Sequence, residues 1–224
     1  MGSPVPGELT GVVNQTIAAM NTAESKDAPP LGRVVHADPA GRLSDADLVT
    51  RVVEGDEWAL EVLFRRHASL AIGTATRLLS NASEAEDVAQ DSFILAYERI
   101  SQLRDPAAFK GWFMQIVVHQ VHRRMRKRKL LAVLGIVSAS TETLEAVALP
   151  ETSAEVRAEL ALLEPRLNAL KAKDRTAWML RYVEGYSLVE VAELTSSSLA
   201  TTKRRISHAQ TRLRVRLARG SHEA

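Results

Sequence analysis

The residues best suited to chemistry are two basic runs and one acidic segment. The sequence RRMRKRK occupies residues 123–129, and a second concentration of cations occupies residues 203–219. The acidic sequence SEAEDVAQDSF occupies residues 83–93. Clustered cations suit binding to the phosphates of nucleic acid, whereas paired carboxylates suit acid–base or metal chemistry.

The acidic segment does not by itself indicate catalysis. Its carboxylates fall in the first turns of a predicted helix, where they stabilise the helix dipole. No nucleophile–base pair, glycine-rich phosphate loop or HExxH motif accompanies them. His119 and His122 have no acidic or cysteine partner at ligand spacing, so no metal site is expected. We therefore predict a protein that is not an enzyme and that uses no metal or other cofactor.

Composition indicates a helical globular protein. The chain has 224 residues, of which 46% are hydrophobic and only 4% aromatic, which suits helices better than a β-sandwich. The net charge is +2, so the positions of the cations matter more than their excess. The absence of cysteine and of any apolar run of roughly 20 residues predicts a cytoplasmic protein without membrane insertion.

The helical periodicity predicts an all-α fold of two small helical domains joined by a flexible linker. Residues 1–42 contain five prolines and are predicted to be a flexible N-terminal extension. The first domain is expected at residues 43–129, the linker at 130–152 and the second domain at 153–219.

Capping residues predict where the helices of the first domain begin. Ser44 and Asp56 each precede an apolar periodic segment. Ser83 and Glu86 have the spacing of a capping box, which predicts a helix start at this pair. Asp105 is followed by a proline, which is favoured at the first position of a helix.

The strongest local pattern, at residues 185–213, is GYSLVEVAELTSSSLATTKRRISHAQTRL. A capping box of Ser187 and Glu190 opens a short helix, and a polar turn at residues 195–198 leads to a long basic helix. The apolar positions expected to face inward are Val191, Ala192, Leu199 and Ile206. This arrangement predicts a helix-turn-helix whose second helix enters the major groove of DNA. The expected DNA contacts are Thr201, Thr202, Lys203, Arg204, Arg205 and His208.

A second candidate DNA-binding surface lies on the helix that ends in the first basic run. Its aromatic rings could stack on unpaired bases or could belong to the core, and the sequence leaves both possibilities open. The basic run could hold phosphates. The candidate contacts on this helix are Phe109, Trp112, Phe113, His119, Arg123, Arg124, Arg126, Lys127 and Arg128.

Two blocks of sequence, in this order, resemble the extracytoplasmic-function (ECF) class of sigma-70 family sigma factors. The first, similar to sigma domain two, is AEDVAQDSFILAYERI with DPAAFKGWFMQIVVHQVHRRMRKR. The second, similar to sigma domain four, is DRTAWMLRYVEGYSLVEVAELTSSSLATTKRRISHAQTRLR. The resemblance covers roughly residues 44–128 and 153–217. The long intervening domain of housekeeping sigma factors is absent, which points to the ECF class.

The resemblance implies a transcription initiation factor that binds core RNA polymerase and opens promoter DNA. Asp87, Gln90 and Asp91 fall where domain two docks on the coiled coil of the largest polymerase subunit, and the flap region is a second implied contact. Residues 109–128 fall where the minus-ten element is melted and read, and residues 201–205 where the minus-thirty-five element is read. An anti-sigma factor is a further implied partner.

The chain departs from the family pattern at a few positions. The family usually has Asn at position 119 and often an acidic residue at 123, where this chain has His119 and Arg123. In the turn, Ser196 and Ser197 replace the usual Gly and aliphatic residue, and Lys171 replaces a common Pro. These changes bear on promoter sequence and melting rather than on the fold.

Two other functions remain open from the residues alone. A helix-turn-helix regulator could bind duplex DNA without polymerase, but it would not need the first block. A metal-dependent nuclease acting through the acidic helix is the more distant alternative.

Overall fold

The computed structural model describes residues 43–134 and 166–220, with side chains up to Leu213. In this part of the chain every regular element is helical, which confirms the all-α prediction. The α-helices are α1 (Asp45–Val53), α2 (Glu57–Leu79), α3 (Ala82–Arg99), α4 (Phe109–Val133), α5 (Ala172–Tyr182), α6 (Leu188–Leu194) and α7 (Leu199–Gly220). Two single-turn 3-10 helices, Ile100–Gln102 and Pro106–Ala108, connect α3 to α4.

The described residues group into two compact units. The first contains the residues up to Ala71 and the stretch Ala89–Ile116, and the second contains Ile72–Val88 and the residues from Val117 onward. The predicted extension at 1–42 and residues 135–152 of the predicted linker lie outside the described residues. Among the helices that are described, none is both long and apolar enough to cross a membrane.

The core of the first unit is built on aromatic rings. Phe93 lies with its ring centroid 4.2 Å from that of Phe64 and 4.3 Å from that of Phe113, and all three side chains are buried. Leu48 and Val49 of α1 are buried as well, as the periodicity of that helix predicts. Each buried ring contributes roughly 1.5–3 kcal/mol through loss of apolar surface from water.

A buried histidine ties α1 to α2 within the same unit. His67 Nε2 lies 2.8 Å from Asp45 Oδ2, and Arg66 Nη1 lies 2.6 Å from Asp45 Oδ1. Burial lowers the pKa of His67, although the nearby Asp45 carboxylate acts to raise it. Asp45 therefore accepts hydrogen bonds from two residues of α2 and fixes where α1 lies on it.

Most predicted helix starts are confirmed by side-chain caps. The backbone N–H of Asp47 donates to Ser44 Oγ at 3.1 Å, and those of Trp58 and Ala107 donate to the carboxylates of Asp56 and Asp105, each at 3.0 Å. The first turn after Asp105 is a 3-10 turn rather than an α-helical one.

The capping box predicted at Ser83 and Glu86 is wrong. Helix α3 begins at Ala82, and its cap is Asn81, whose side-chain oxygen accepts from the Glu84 N–H at 2.7 Å. The reason is the turn before it, where Ser80 takes a positive φ of 53° and brings the chain round two residues earlier. Asn caps a helix as well as Ser does, so the sequence alone did not separate the two starts.

The second unit includes a three-helix arrangement of α5, α6 and α7. Helix α7 packs on both α5 and α6, and its buried residues Ile206 and Ala209 face this core. Leu180 of α5 is fully buried. After α5, Gly185 takes a φ of +78°, a conformation that costs other residues about 1 kcal/mol or more, so glycine suits the turn into α6.

Candidate nucleic-acid interface

Helix α6 opens with the capping box that the sequence predicts. The Ser187 hydroxyl accepts from the Glu190 N–H at 3.2 Å, and the Glu190 carboxylate accepts from the Ser187 N–H at 2.7 Å. Two N–H groups at the helix start are thereby satisfied. The short helix is therefore held at a fixed starting point ahead of the turn.

The inner face of the helix-turn-helix is largely as expected. Val191, Ala192 and Ile206 are buried where α6 packs on α7. Leu199 is 40% exposed, so the expectation that it faces inward is wrong. Leu194, at the end of α6, is buried and supplies apolar volume there. Leu199 is the first residue of α7, where the helix has just left the turn, and this explains its exposure.

The turn between α6 and α7 is held by hydroxyl groups. Ser196 takes a positive φ of 46°, the conformation for which Gly is the usual residue. The Thr201 N–H donates to Ser198 Oγ at 3.2 Å and caps α7. Thr202 is fully buried, and its hydroxyl lies 2.8 Å from that of Ser197. Thr202 therefore supports the turn from inside, while Thr201 is partly exposed.

The first turns of α7 present a basic surface. Lys203 and Arg204 are exposed, whereas Arg205 is only half-exposed. The sequence predicts both arginines as DNA contacts, and the structure shows that Arg204 is the more accessible of the two. His208 lies further along, with Nδ1 2.6 Å from the Asp174 carboxylate of α5. That contact joins α7 to the start of α5 and leaves the ring partly exposed.

The aromatic residues of α4 divide between core and surface. Phe109 and Phe113 are buried in the first unit, with parallel rings 5.8 Å apart. Trp112 is partly exposed, and its ring lies 6.0 Å from that of Phe109. Phe109 and Phe113 can contact DNA only if this core opens, so Trp112 is the ring available for stacking.

The basic end of α4 has one exposed side and one side engaged with protein. Arg123, Arg126 and Lys127 are exposed, so their charges are available to phosphates. Arg124 and Arg128 are partly buried against α2 and α3. The helix also runs on to Val133, beyond the end that the basic run indicated.

Contacts with α3 hold two of these arginines in place. Arg124 Nη2 donates to Asp87 Oδ2 at 2.9 Å, and its Nε lies 3.5 Å from Glu84 Oε1. Arg128 Nη1 donates to the Leu79 carbonyl at 3.1 Å and lies 3.4 Å from Glu84 Oε2. Glu84 therefore lies between two arginines that the sequence assigned to DNA, a role that sequence reasoning missed.

The acidic helix α3 exposes the residues for which the family resemblance implies polymerase docking. The Asp87 side chain is 56% exposed and Asp91 is exposed, while Gln90 is partly exposed. On the opposite face Val88 and Phe93 are buried. Within the described residues no group of three or more His, Asp or Glu side chains is placed to hold a metal ion.

The two histidines of α4 are in contrasting environments. His122 is buried, with Nε2 3.0 Å from Thr176 Oγ1, and the Thr176 hydroxyl donates to the Ala172 carbonyl at 2.9 Å. Because a hydroxyl has one hydrogen, the ring must donate from Nε2. His119 is exposed, with Nε2 3.1 Å from Ser196 Oγ.

Burial is the largest cause of a strong pKa shift at His122. Burial and the positive charges around the ring together lower its pKa from 6.5 to about 4. Those charges belong to His119, Lys173, Arg126 and Arg205. The ring is therefore neutral at physiological pH, inside an otherwise basic region.

Comparison with known proteins identifies two matched segments. The family described as Sigma-70 region 2 matches residues 63–130, and Sigma-70, region 4 matches residues 160–213. The chain is 31% identical over 188 residues to the ECF RNA polymerase sigma factor SigM of Mycobacterium tuberculosis, covering 83% of this chain and 91% of that protein. It is 32% identical over 177 residues to SigW of Bacillus subtilis, covering 75% of this chain and 94% of that protein.

Solved structures share the fold. The structure of CnrH in complex with the cytosolic domain of CnrY matches with a TM-score of 0.54 and 23% identity, over 78% of this chain and 97% of that one. The sigma factor RpoE in complex with the anti-sigma factor NepR from Bartonella quintana matches with a TM-score of 0.52 and 24% identity, over 69% and 96%.

Proposed function

The chain belongs to the ECF sigma factors of the sigma-70 family, and from this premise we propose which of its surfaces contact polymerase and DNA. It is a DNA-binding transcription initiation factor that binds core RNA polymerase and directs it to specific promoters. In the proposed division, residues 43–129 bind polymerase and the minus-ten element, and residues 153–219 bind the minus-thirty-five element. The linker is residues 130–152, of which the first four continue helix α4 to Val133.

The start of α7 is the proposed reader of the minus-thirty-five element. The observation that carries this assignment is the exposure of Lys203 and Arg204 directly after the helix-turn-helix turn. Arg204 can contact a guanine edge through two hydrogen bonds, whereas Lys203 suits a phosphate. Thr201 is accessible for a further backbone contact. Thr202 contributes by holding the turn from inside rather than by touching DNA.

The surface of α4 is the proposed minus-ten contact. Trp112 is the ring that can stack on an unpaired base, and Phe109, which itself stacks on Phe113, supports it from the core. Arg126 and Lys127 are exposed at the basic end and suit phosphates. The remaining proposed minus-ten contacts on α4 are His119, Arg123, Arg124 and Arg128.

Helix α3 is the proposed polymerase-docking surface. Asp87, Gln90 and Asp91 face away from its buried side and would meet the coiled coil of the largest polymerase subunit. Asp87 also forms an ion pair with Arg124. If a basic side chain of polymerase replaced Arg124 as the partner of Asp87, Arg124 would become free to contact DNA. The flap region is the proposed contact of the second domain.

Further parts of the proposal follow from the role of a sigma factor. The protein does no covalent chemistry, since polymerase makes the RNA, and it acts in the cytoplasm where polymerase works. The similar folds of CnrH and RpoE were solved with CnrY and with the anti-sigma factor NepR. An anti-sigma factor is accordingly a proposed partner.

Binding of polymerase holoenzyme to matched and scrambled promoters, over a series of salt concentrations, tests the DNA assignments. Arg204→Ala should cost about 1–3 kcal/mol on the matched promoter and much less on the scrambled one. Arg126→Ala should weaken binding to both and reduce the salt slope by about one unit. Arg212→Ala is the matched control, since it removes an exposed cation from the same helix as Arg204, two turns further on.

Two results would count against these assignments. Equal losses on both DNAs for Arg204→Ala would reduce α7 to a phosphate clamp. Tight promoter binding by the chain without polymerase, combined with no co-purification of core polymerase, would favour the alternative of a regulator that acts alone.

A further inference from the structure

Glu84 of α3 contacts two arginines at the basic end of α4, and all three residues lie in the second unit. Glu84 Oε1 lies 3.5 Å from Arg124 Nε, and Glu84 Oε2 lies 3.4 Å from Arg128 Nη1. The two arginines are four residues apart, so they lie on the same side of α4. One carboxylate on α3 therefore faces two guanidinium groups on α4.

Each of the two arginines has a second acceptor on the protein. Arg124 Nη2 donates to Asp87 Oδ2 at 2.9 Å, and Arg128 Nη1 donates to the Leu79 carbonyl at 3.1 Å. Leu79 is the last residue of α2, and a cation is favourable at that end of a helix. The side chains of Arg124 and Arg128 are accordingly only 29% and 34% exposed. Both guanidinium groups are held toward protein acceptors.

The charges in this cluster cancel, because two carboxylates face two guanidinium groups. Elsewhere on the same end of α4, the cations Arg123, Arg126 and Lys127 are exposed. A phosphate that approaches α4 is attracted by these exposed cations. It gains much less from Arg124 and Arg128, whose charges are matched by carboxylates of α3.

We propose that Glu84 is a positioning residue that restrains Arg124 and Arg128 from binding DNA phosphates, and that it thereby limits the sequence-independent affinity of the chain. The inference rests on the proposed function, because it takes α4 as a DNA-binding surface. It deepens that assignment, since Arg124 and Arg128 then contact DNA only after their carboxylate partners release them. Phosphate contacts carry no sequence information, so this restraint leaves a larger share of the affinity to base contacts.

The partial exposure of the cluster argues against a mainly structural role. Ion pairs between partly exposed side chains contribute little to folding stability, because water and salt screen them. The effect on DNA binding is larger, since each released arginine that binds a phosphate adds to the release of counterions from DNA. A change at Glu84 should therefore alter DNA binding while the chain stays folded.

The inference is tested by binding of the full-length chain to a scrambled duplex, measured by fluorescence anisotropy over a series of salt concentrations. Glu84→Gln keeps the size of the side chain but removes its charge, so it should strengthen binding and steepen the salt slope by about one unit. The gain in affinity at about 50 mM salt should then exceed the gain at about 200 mM by about 3.5-fold. Glu84→Ala should have the same effect, and a matched promoter duplex should show the same gain as the scrambled one.

Two comparisons show whether the effect depends on the two arginines. Glu86→Gln removes the same charge two residues further along α3 and should leave the salt slope unchanged. In an Arg124→Ala/Arg128→Ala background, Glu84→Gln should have no effect, because no restrained arginine remains to be released. Circular dichroism and urea unfolding of each variant check that the fold is retained.

The outcomes separate the restraint by Glu84 from the proposed function. An unchanged salt slope in Glu84→Gln, an equal steepening in Glu86→Gln, or a gain that persists without Arg124 and Arg128 would each overturn the restraint. Failure of Arg126→Ala to reduce the salt slope of the otherwise unchanged chain would instead show that α4 is not a phosphate-binding surface, which overturns that part of the proposed function.

Discussion

Acidification should lower the unfolding free energy of the second unit, because its buried His122 resists protonation. This loss should be larger than the loss that the exposed charged groups of the unit cause. Its ring donates from Nε2 to Thr176 and is neutral in the folded chain. Protonation of the ring in the folded chain is unfavourable, because the ring is buried and the nearby charges are all positive. His122→Gln keeps a side-chain N–H donor but cannot take up a proton in this range, so it should remove this acid sensitivity.

The size of the effect follows from linkage. The pKa of His122 falls from 6.5 in the unfolded chain to about 4 in the folded one, so between these values the unfolded state binds more protons. Stability is therefore fully present above pH 6.5 and is lost as the pH falls toward 4. Between pH 7.5 and 5 the loss should be about 2 kcal/mol, a shift of about 1 M in the urea midpoint.

The measurement is urea unfolding of the wild type and of His122→Gln at pH 7.5 and pH 5. Each protein loses some unfolding free energy between the two pH values, and the difference between the two losses is the contribution of His122. His67 contributes in the same direction, since burial lowers its pKa too, but it is present in both proteins and cancels. His119→Gln, a change at the neighbouring exposed histidine, should keep most of the wild-type loss. An identical pH dependence in His122→Gln and the wild type would show that the ring is not buried as described.

Further expectations concern packing, capping, docking and the N-terminal extension. Phe113→Ala should cost about 3–5 kcal/mol of unfolding free energy in urea, because its ring is fully buried among aromatic neighbours; a smaller loss than 1 kcal/mol would contradict this packing. Ser187→Ala should cost about 1 kcal/mol and Ser187→Thr much less, since only the first removes the cap of α6. Asp87→Ala with Gln90→Ala should weaken binding to core polymerase in a pull-down while the circular dichroism stays unchanged, and undiminished binding would move the docking site elsewhere. Deletion of residues 1–42 should leave the melting temperature unchanged, and a large drop would show that this extension packs on the rest of the chain.

Local structure followed closely from the sequence. The apolar spacing predicted the helices, and the caps at Ser44, Asp56, Asp105 and Ser187 were found at their expected places. The helix-turn-helix could be predicted because its cap, turn and basic helix are contiguous in sequence. These features depend on residues three or four positions apart, which interact whatever the rest of the chain does. Where two capping residues competed, at Asn81 and Ser83, the helix began after the turn at Ser80 and Asn81 became the cap.

Accessibility and long-range pairing were decided by the tertiary structure alone. The sequence placed Arg204 and Arg205 together on a basic helix, but only packing made Arg204 the more exposed. It assigned Arg124 to DNA without revealing its contact with Asp87, 37 residues away. The pairing of Glu184 with Thr74 crosses 110 residues. The apolar periodicity of a sequence predicts which side of a helix is buried, but it does not predict which distant helix covers that side. Only folding brings residues that are far apart in sequence within hydrogen-bonding distance.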